Sequence, residues 1–442
     1  MLATFMAEPL KVGLAGLGTV GTAVIQLLEH ERHKLVARCG RPIEVVAVSA
    51  RSRGKKRAVD LKKVRWTTDP MELAGDPGID VLVEVIGGAG DPAKGAVETA
   101  LAAGKPVVTA NKALLAAHGH KLASLAERQR AALNFEASVA GGIPIVKTLR
   151  EGLNGNSFTR IYGILNGTCN YILSRMEEER ISFEDCLREA QRLGYAEADP
   201  SFDVEGHDTA QKLSILASLA FGTKVDQAAV YVEGISSITL ADLDAAAELG
   251  YRVKLLGVAV RTDAGIEQRV HPTMVPKESA IAQVMGVTNA VTVDANGLSP
   301  ITLVGPGAGG MATASAVVSD LADIARGVRM PPFGQPAARM TAVRKAPMQR
   351  HEGGYYIRLM ARDRPGSAAT IARRLAQRQI SLESIVQRHE SRSQDAGKSG
   401  DPVPVILITY ATTEDAVHKA LAAVRRDRVI SGRPQVIRIE KN

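Results

Sequence analysis

Lys11-Val-Gly-Leu-Ala-Gly-Leu-Gly-Thr-Val-Gly21 decides the fold of this chain. It reads as a buried strand, a glycine turn and the first turn of a helix. Gly16, Gly18 and Gly21 keep G-x-G-x-x-G spacing: the first allows a tight turn, the second lets backbone approach a pyrophosphate, and the third lets helix pack on strand. Thr19 and Val20 lie in the helical turn between them, where free N–H groups favour an anion. Alone this pattern is weak, and its context strengthens it. Strands are expected over 43–49, 81–86 and 106–109, with helices over 22–29 and 92–103 between them. Such alternation predicts a doubly wound parallel sheet. Residues 1–150 are therefore expected to form a Rossmann-type dinucleotide-binding domain.

After the second strand, the acidic residue that usually takes a ribose hydroxyl is missing. Ala50-Arg-Ser-Arg-Gly-Lys-Lys-Arg57 stands there instead. Arg51 and its neighbours can take a 2′-phosphate, which favours NADP(H) over NAD(H). The plain alternative is a solvated basic loop.

A second informative stretch is Tyr195-Ala-Glu-Ala-Asp-Pro-Ser-Phe-Asp-Val-Glu-Gly-His-Asp-Thr-Ala-Gln-Lys212. It sets Glu197, Asp199, Asp203, Glu205 and Asp208 ahead of one lysine, and a helical pattern runs on from Leu213. Asp208 and Lys212 stand four apart and share a helix face. A carboxylate beside an ammonium keeps it protonated and aimed, as a general acid requires. The competing reading is an ordinary surface ion pair.

The chain has 442 residues, 45% hydrophobic and 23% charged, enough for two or three ordinary globular domains. No apolar run approaches the roughly 20 residues that cross a bilayer, and Met1 to Leu10 lacks the pattern of a signal peptide. Cys39, Cys169 and Cys186 lack metal or redox spacing, which points to a reducing cytoplasm. The net charge of +8 is dispersed, and aromatic residues are only 4%. That is too few for a base-stacking platform, so nucleic acid is not an expected partner.

Residues 151–304 mix helices and strands, with segments expected over 186–193, 209–221, 230–240, 251–261 and 290–293. Gly305-Pro-Gly-Ala-Gly-Gly310 leads into a small-residue helix over 312–327 that is expected to complete the first domain with about residues 305–340. A polar linker over 344–354 precedes a βαββαβ pattern in 351–442, with a polar loop over 389–402. Such a module is a common small-ligand sensor.

Taken together, these blocks resemble homoserine dehydrogenase, over nearly the whole chain. The resemblance is carried by Gly13–Gly21, Val108-Thr-Ala-Asn-Lys112, Glu136-Ala-Ser-Val-Ala-Gly-Gly-Ile-Pro144, Leu165-Asn-Gly-Thr168, Glu197-Ala-Asp-Pro200, Gly206-His-Asp-Thr-Ala-Gln-Lys212, Val270-His-Pro-Thr273 and Gly305-Pro-Gly-Ala-Gly309. The C-terminal module resembles an ACT domain through Asp363-Arg-Pro-Gly-Ser367. With no kinase-like region before Lys11, the chain resembles the monofunctional form. The fold implied is α/β: a Rossmann-type domain, a mixed α+β catalytic and dimerisation domain, and a regulatory ACT domain.

The resemblance implies interconversion of L-aspartate 4-semialdehyde and L-homoserine, in the biosynthesis of threonine and methionine. It casts Lys212 as proton donor with Asp208 beside it, and places Lys112 near nicotinamide and substrate. Glu197 and Asp203 would bind the substrate ammonium; Asn166, Gly167 and Thr168 would meet its other end. Gly309 joins the cofactor residues. Glu136, Val139, Gly141 and Ile143 match a structural Na+ or K+ site built from the Glu136 carboxylate and backbone carbonyls, unless Glu136 only anchors a turn. Glu84 is expected to play a supporting part at the cofactor edge, and His207 to act as a spacer. L-Threonine is implied as effector at Asp363, Gly366 and Ser367, in a homodimer or homotetramer. Two rivals come from other classes: an aspartate-semialdehyde dehydrogenase using a Cys169 thiolate, and a non-catalytic dinucleotide or amino-acid sensor.

Overall fold

The computed structural model describes residues 8–348, 351–387 and 402–440. Its first sheet holds β1 (Leu10–Ala15), β2 (Ile43–Ser49), β3 (Arg65–Thr67), β4 (Val81–Glu84), β5 (Val107–Thr109) and β6 (Leu133–Asn134). They run parallel in the order β3-β2-β1-β4-β5-β6. Val81 and Val83 pack into one core with Val12, Leu14, Val24 and Val108, while Leu82 packs into the other with Ile79, Val97 and Leu114. Both faces are covered, which is why these strands read as unbroken apolar runs.

Helix Thr19–His30 starts three residues earlier than expected, directly on the glycine turn. β4 stops at Glu84, two residues short of expectation, because the Glu84 carboxylate turns back to accept the next amides, Ile86 and Gly87. The late helix is Gly310–Ala325; its Ala314, Val317 and Leu321 pack into the same core as β1.

A second sheet joins the rest of the chain. β7 (Phe158–Ile164), β8 (Tyr231–Val232), β9 (Tyr251–Thr262), β10 (Gly265–Pro276), β11 (Thr288–Ala295) and β12 (Ile301–Pro306) form its first part. β13 (Glu352–Arg362), β14 (Leu382–Gln387), β15 (Pro402–Thr409), β16 (Thr412–Thr413) and β17 (Ile430–Ile439), with helices Ser367–Ala376 and Glu414–Arg426, form the C-terminal βαββαβ module. The path runs β12-β11-β7-β9-β10-β17-β13-β15-β14, with β8 on β10 and β16 on β13.

The two parts are one sheet. β17 pairs in parallel with β10 at Thr273↔Arg438 and Met274↔Ile439. The span 230–240, expected as one strand or helix, is a correction: only Tyr231–Val232 is strand, and helix Leu240–Glu248 begins at its end. The 344–354 linker is corrected too. Ala346 donates to the Ile266 carbonyl at 3.0 Å and β13 begins at Glu352, so most of it is fastened to the sheet. The polar loop expected over 389–402 lies outside the described residues except at Pro402.

Candidate functional site

The C-terminal ends of β1, β4 and β5 converge on the glycine turn. Gly16 has φ +107°, and a Cβ there would sit 2.6 Å from the Val85 carbonyl oxygen; one on Gly21 would sit 2.0 Å from that of Gly16. Neither position has room for a side chain. At Gly18 nothing lies within 4 Å, so the turn leaves open space where a pyrophosphate would lie against the helix amides. Gly309 (φ +116°) caps the late helix, whose first residue, Gly310, would press a Cβ to 2.9 Å from Thr19 Cγ2. Two helix N-termini thus start side by side, and the residues fit a dinucleotide.

Arg51 stands exposed just past β2. The basic loop is not free: Arg57 donates to the Leu17 carbonyl at 3.1 Å and to Ser52 and Lys55, and lies over Trp66. This folds the loop against the glycine turn and leaves Arg51, Arg53, Lys55 and Lys56 outward.

Glu84 is buried and accepts from Thr109 Oγ1 at 2.6 Å and from the Ile86 amide at 2.8 Å, with Asn111 Nδ2 at 3.4 Å. Asn111 in turn caps helix Lys112–Arg128 by accepting from the Leu114 amide. This pair fixes Lys112 on the first turn. Sequence reasoning gave Asn111 no part, although an Asn just before a helix is a readable cap.

The acidic stretch closes on this point from the second part of the fold. Gly206, at φ +85°, starts helix His207–Phe221, which carries Asp208 and Lys212. Lys212 Nζ donates to Asp208 Oδ2 at 2.8 Å and to the Leu165 carbonyl at 2.7 Å; Lys112 Nζ lies 3.2 Å from Asp208 Oδ1. Asn166 Nδ2 reaches both Asp208 and Asp203 at 2.8 Å, and its oxygen caps helix Gly167–Glu179 at the Cys169 amide. Burial alone would raise the Asp208 pKa, but the two ammonium groups outweigh it and hold the carboxyl at about 2. Asp203 moves the other way, raised by burial and by Asp208. Val20, Gly87, Asn111, Lys112, Ser138 and Lys212 line one cavity of about 250 Å³.

Other expected residues lie at varying distance from this cluster. Gly167 packs tightly under Val287, where a Cβ would meet its carbonyl at 2.6 Å, and Thr168 donates to the Tyr195 carbonyl. Glu197 is exposed, and among the described residues its carboxylate has no partner. His207 is exposed beside Phe202.

Both Glu136 oxygens are engaged, by the Val146 amide at 2.9 Å and the Lys147 amide at 2.8 Å. Burial, then Asp320, raises its pKa to about 7. The carboxylate thus anchors a turn, and what Val139, Gly141 and Ile143 offer a cation is backbone carbonyl oxygen. Asp363 and Gly366 are exposed, Gly366 at φ +90° before the buried Ser367, in the turn that starts helix Ser367–Ala376. Cys169 is buried, donates to the Asp203 carbonyl at 3.2 Å, and has its thiol pKa pushed well up by burial. A thiolate nucleophile needs the opposite environment.

The chain also matches known proteins along its length. Residues 16–136 match the homoserine dehydrogenase NAD-binding domain, 144–322 the homoserine dehydrogenase family, and 355–427 the ACT domain. The chain is 44% identical to homoserine dehydrogenase of Pseudomonas aeruginosa and 43% to that of Neisseria gonorrhoeae, each over 98% of this chain and 99% of the relative. The crystal structure of a homoserine dehydrogenase from Thiobacillus denitrificans superposes with a TM-score of 0.91 at 43% identity, covering 99% of this chain and 100% of that one. A hyperthermophilic archaeal homoserine dehydrogenase in complex with NADPH gives 0.61 at 27% identity, over 71% of this chain and 97% of its own. With a nicotinamide-dinucleotide domain, a homoserine dehydrogenase domain and a C-terminal ACT domain in one chain, and full-length relatives above 40% identity, the chain belongs to the homoserine dehydrogenase family.

Proposed function

We propose that the cleft between the glycine turn and the Asp208 cluster interconverts L-homoserine and L-aspartate 4-semialdehyde, with NADP(H) favoured over NAD(H). The observation that carries this reading is the shared cavity, which Val20 on the cofactor side lines together with Lys112 and Lys212. The nicotinamide, when bound, supplies a hydride to the aldehyde carbon or takes one from the alcohol carbon. Lys212 gives its Nζ proton to the developing alkoxide oxygen during reduction and takes it back during oxidation. Asp208, ionised at all neutral pH values, holds both lysine side chains aimed at the cleft. Lys112 adds positive charge beside that oxygen. Asp203 and Glu197 receive the substrate ammonium, and Asn166, Gly167 and Thr168 shape the other end.

NADP(H) is favoured because Arg51 and its neighbours are left outward beside the glycine turn. The 2′-phosphate would meet these residues, whereas NAD(H) has no such group to offer them. A monovalent cation, Na+ or K+, would be held by carbonyls of Glu136, Val139, Gly141 and Ile143, with the Glu136 side chain bracing the loop. L-Threonine is the effector we assign to the ACT turn Asp363–Ser367, in a homodimer or homotetramer. A cytoplasmic setting fits three free cysteines and, among the described residues, no helix long and apolar enough to cross a membrane.

One assay tests the reading: L-homoserine oxidation with NADP or NAD, with and without threonine. Homoserine-dependent reduction of either cofactor is expected, faster with NADP; none with either overturns it.

A further inference from the structure

Away from the cleft, a cluster of buried charge lies where β17 meets β10. Arg438 of β17 is only 2% exposed. Its guanidinium donates to Glu414 at 3.0 Å within the C-terminal module and to Glu233 at 2.6 Å and 3.3 Å across the junction, and lies over the Tyr231 ring. Tyr231 donates to Glu233 as well. A buried guanidinium is tolerable only with such partners, so Glu233 is fixed in place.

What Glu233 holds is the back of the active site. Its own amide donates to the Val270 carbonyl at 2.8 Å. The next residue, Gly234, touches backbone: a Cβ there would meet the Val204 carbonyl at 2.4 Å and Glu205 Cα at 2.5 Å. The Ile235 amide donates to Val204 O at 2.8 Å, and Ser236 Oγ to Glu205 at 2.7 Å. Gly206, the start of the catalytic helix, packs under Val232 and the Glu233 carbonyl. The turn Asp203–Gly206 is therefore clasped between segment 232–236 and the Cys169 thiol, which bonds the Asp203 carbonyl. Any displacement of Glu233 moves this turn, and with it Asp203 and the first residues before Asp208.

We propose that Glu233, clamped by Arg438, is a positioning residue for the substrate-binding turn, so that the docked C-terminal module completes the active site. The proposal rests on the functional reading above for what the turn binds. Glu233→Gln keeps the size and removes the charge, and its partly open position makes it the gentler variant. In the full chain, KM for homoserine is expected to rise about 3- to 30-fold, the range for residues that couple without touching ligand. The KM for NADP should stay within about twofold, and the loss in kcat should be smaller than the change in KM. Glu233→Asp, which keeps the charge, should recover part of the affinity. Amide hydrogen exchange judges the clamp without turnover: Val204 to Asp208 should exchange faster in Glu233→Gln than in the unaltered chain. If those amides are unchanged, or if homoserine and NADP constants rise in step, the clamp is overturned. If the unaltered chain fails to oxidise homoserine, the functional reading falls while the exchange result still decides the clamp.

Discussion

Asp208 divides its charge between two lysines on different elements, and only one of them lies on its own helix. Lys212 has the Leu165 carbonyl as a second acceptor and a mostly buried side chain, whereas Lys112 is more open. Lys212→Ala is expected to lower kcat by about 100-fold or more while leaving NADP affinity nearly intact, because the lost group acts on transition-state charge. Retention of more than a third of the rate would show that another group donates the proton. Asp203→Asn should raise KM for homoserine more than Glu197→Gln does, since Asp203 is tied into the Asn166 network and Glu197 is exposed. Equal effects, or none, would place the substrate ammonium elsewhere. Among the five acids ahead of Lys212, spacing singled out Asp208 and the resemblance Glu197 and Asp203, but neither ranked these last two. Ranking needs the turn at Gly206 and the reach of Asn166, and both depend on tertiary contacts.

The glycine turn and β2 were legible because their chemistry is local: a backbone that only glycine can adopt, and an apolar run of strand length. β10 was not legible as a strand. Its sequence carries Pro272, Pro276, Glu267, Arg269 and His271, residues that argue against a strand until partners on both sides neutralise and cover them. The basic loop after β2 was read as charge for a 2′-phosphate and not as a scaffold, since nothing local says that Arg57 folds back on Leu17. Arg51→Asp, outside that scaffold, should shift preference from NADP toward NAD, measured as the ratio of kcat/KM values. A strong NAD preference in the unaltered enzyme would defeat the charge argument.

β9 carries a pH-sensitive element of its own. Lys254 is buried against Asn170 and the Val284 carbonyl, and burial lowers its pKa from 10.5 to about 7. Between these values the unfolded chain holds a proton that the folded chain does not. Stability therefore rises with pH in that window, by at most about 1.4 kcal/mol per unit. Relative to the unaltered chain, Lys254→Met should gain most at pH 6 and lose that advantage toward pH 10. Denaturant titrations showing a pH-independent difference would contradict this.

At the scale of the whole molecule, the ACT module is a continuation of the catalytic sheet, and more than the strand pairing joins them. Arg358 of β13 binds Asp242 at 2.7 Å, and Tyr356 reaches the same carboxylate. Removing residues 351–442 should abolish any response to threonine and also weaken homoserine binding, since Glu233 and Asp242 lose their partners. Full-length and truncated enzymes compared for threonine inhibition, homoserine KM and mass in solution would decide. A truncated enzyme with unchanged homoserine KM would reduce the module to a sensor alone. If the full-length enzyme ignores threonine while truncation only dissociates it, the module is a scaffold.

The parallel pairing of Thr273 with Arg438 also bears on how the chain is made. The two residues are about 165 positions apart, so at ordinary synthesis speeds β10 waits roughly 10–30 s for its neighbour. During that interval an unpaired strand could recruit a stranger from another nascent chain. Pro272 and Pro276 withhold two N–H groups from any such intruder, and Glu267 and Arg269 make an apolar strand a poor match. The residues that hid this strand in the sequence are thus the ones that guard it on the ribosome.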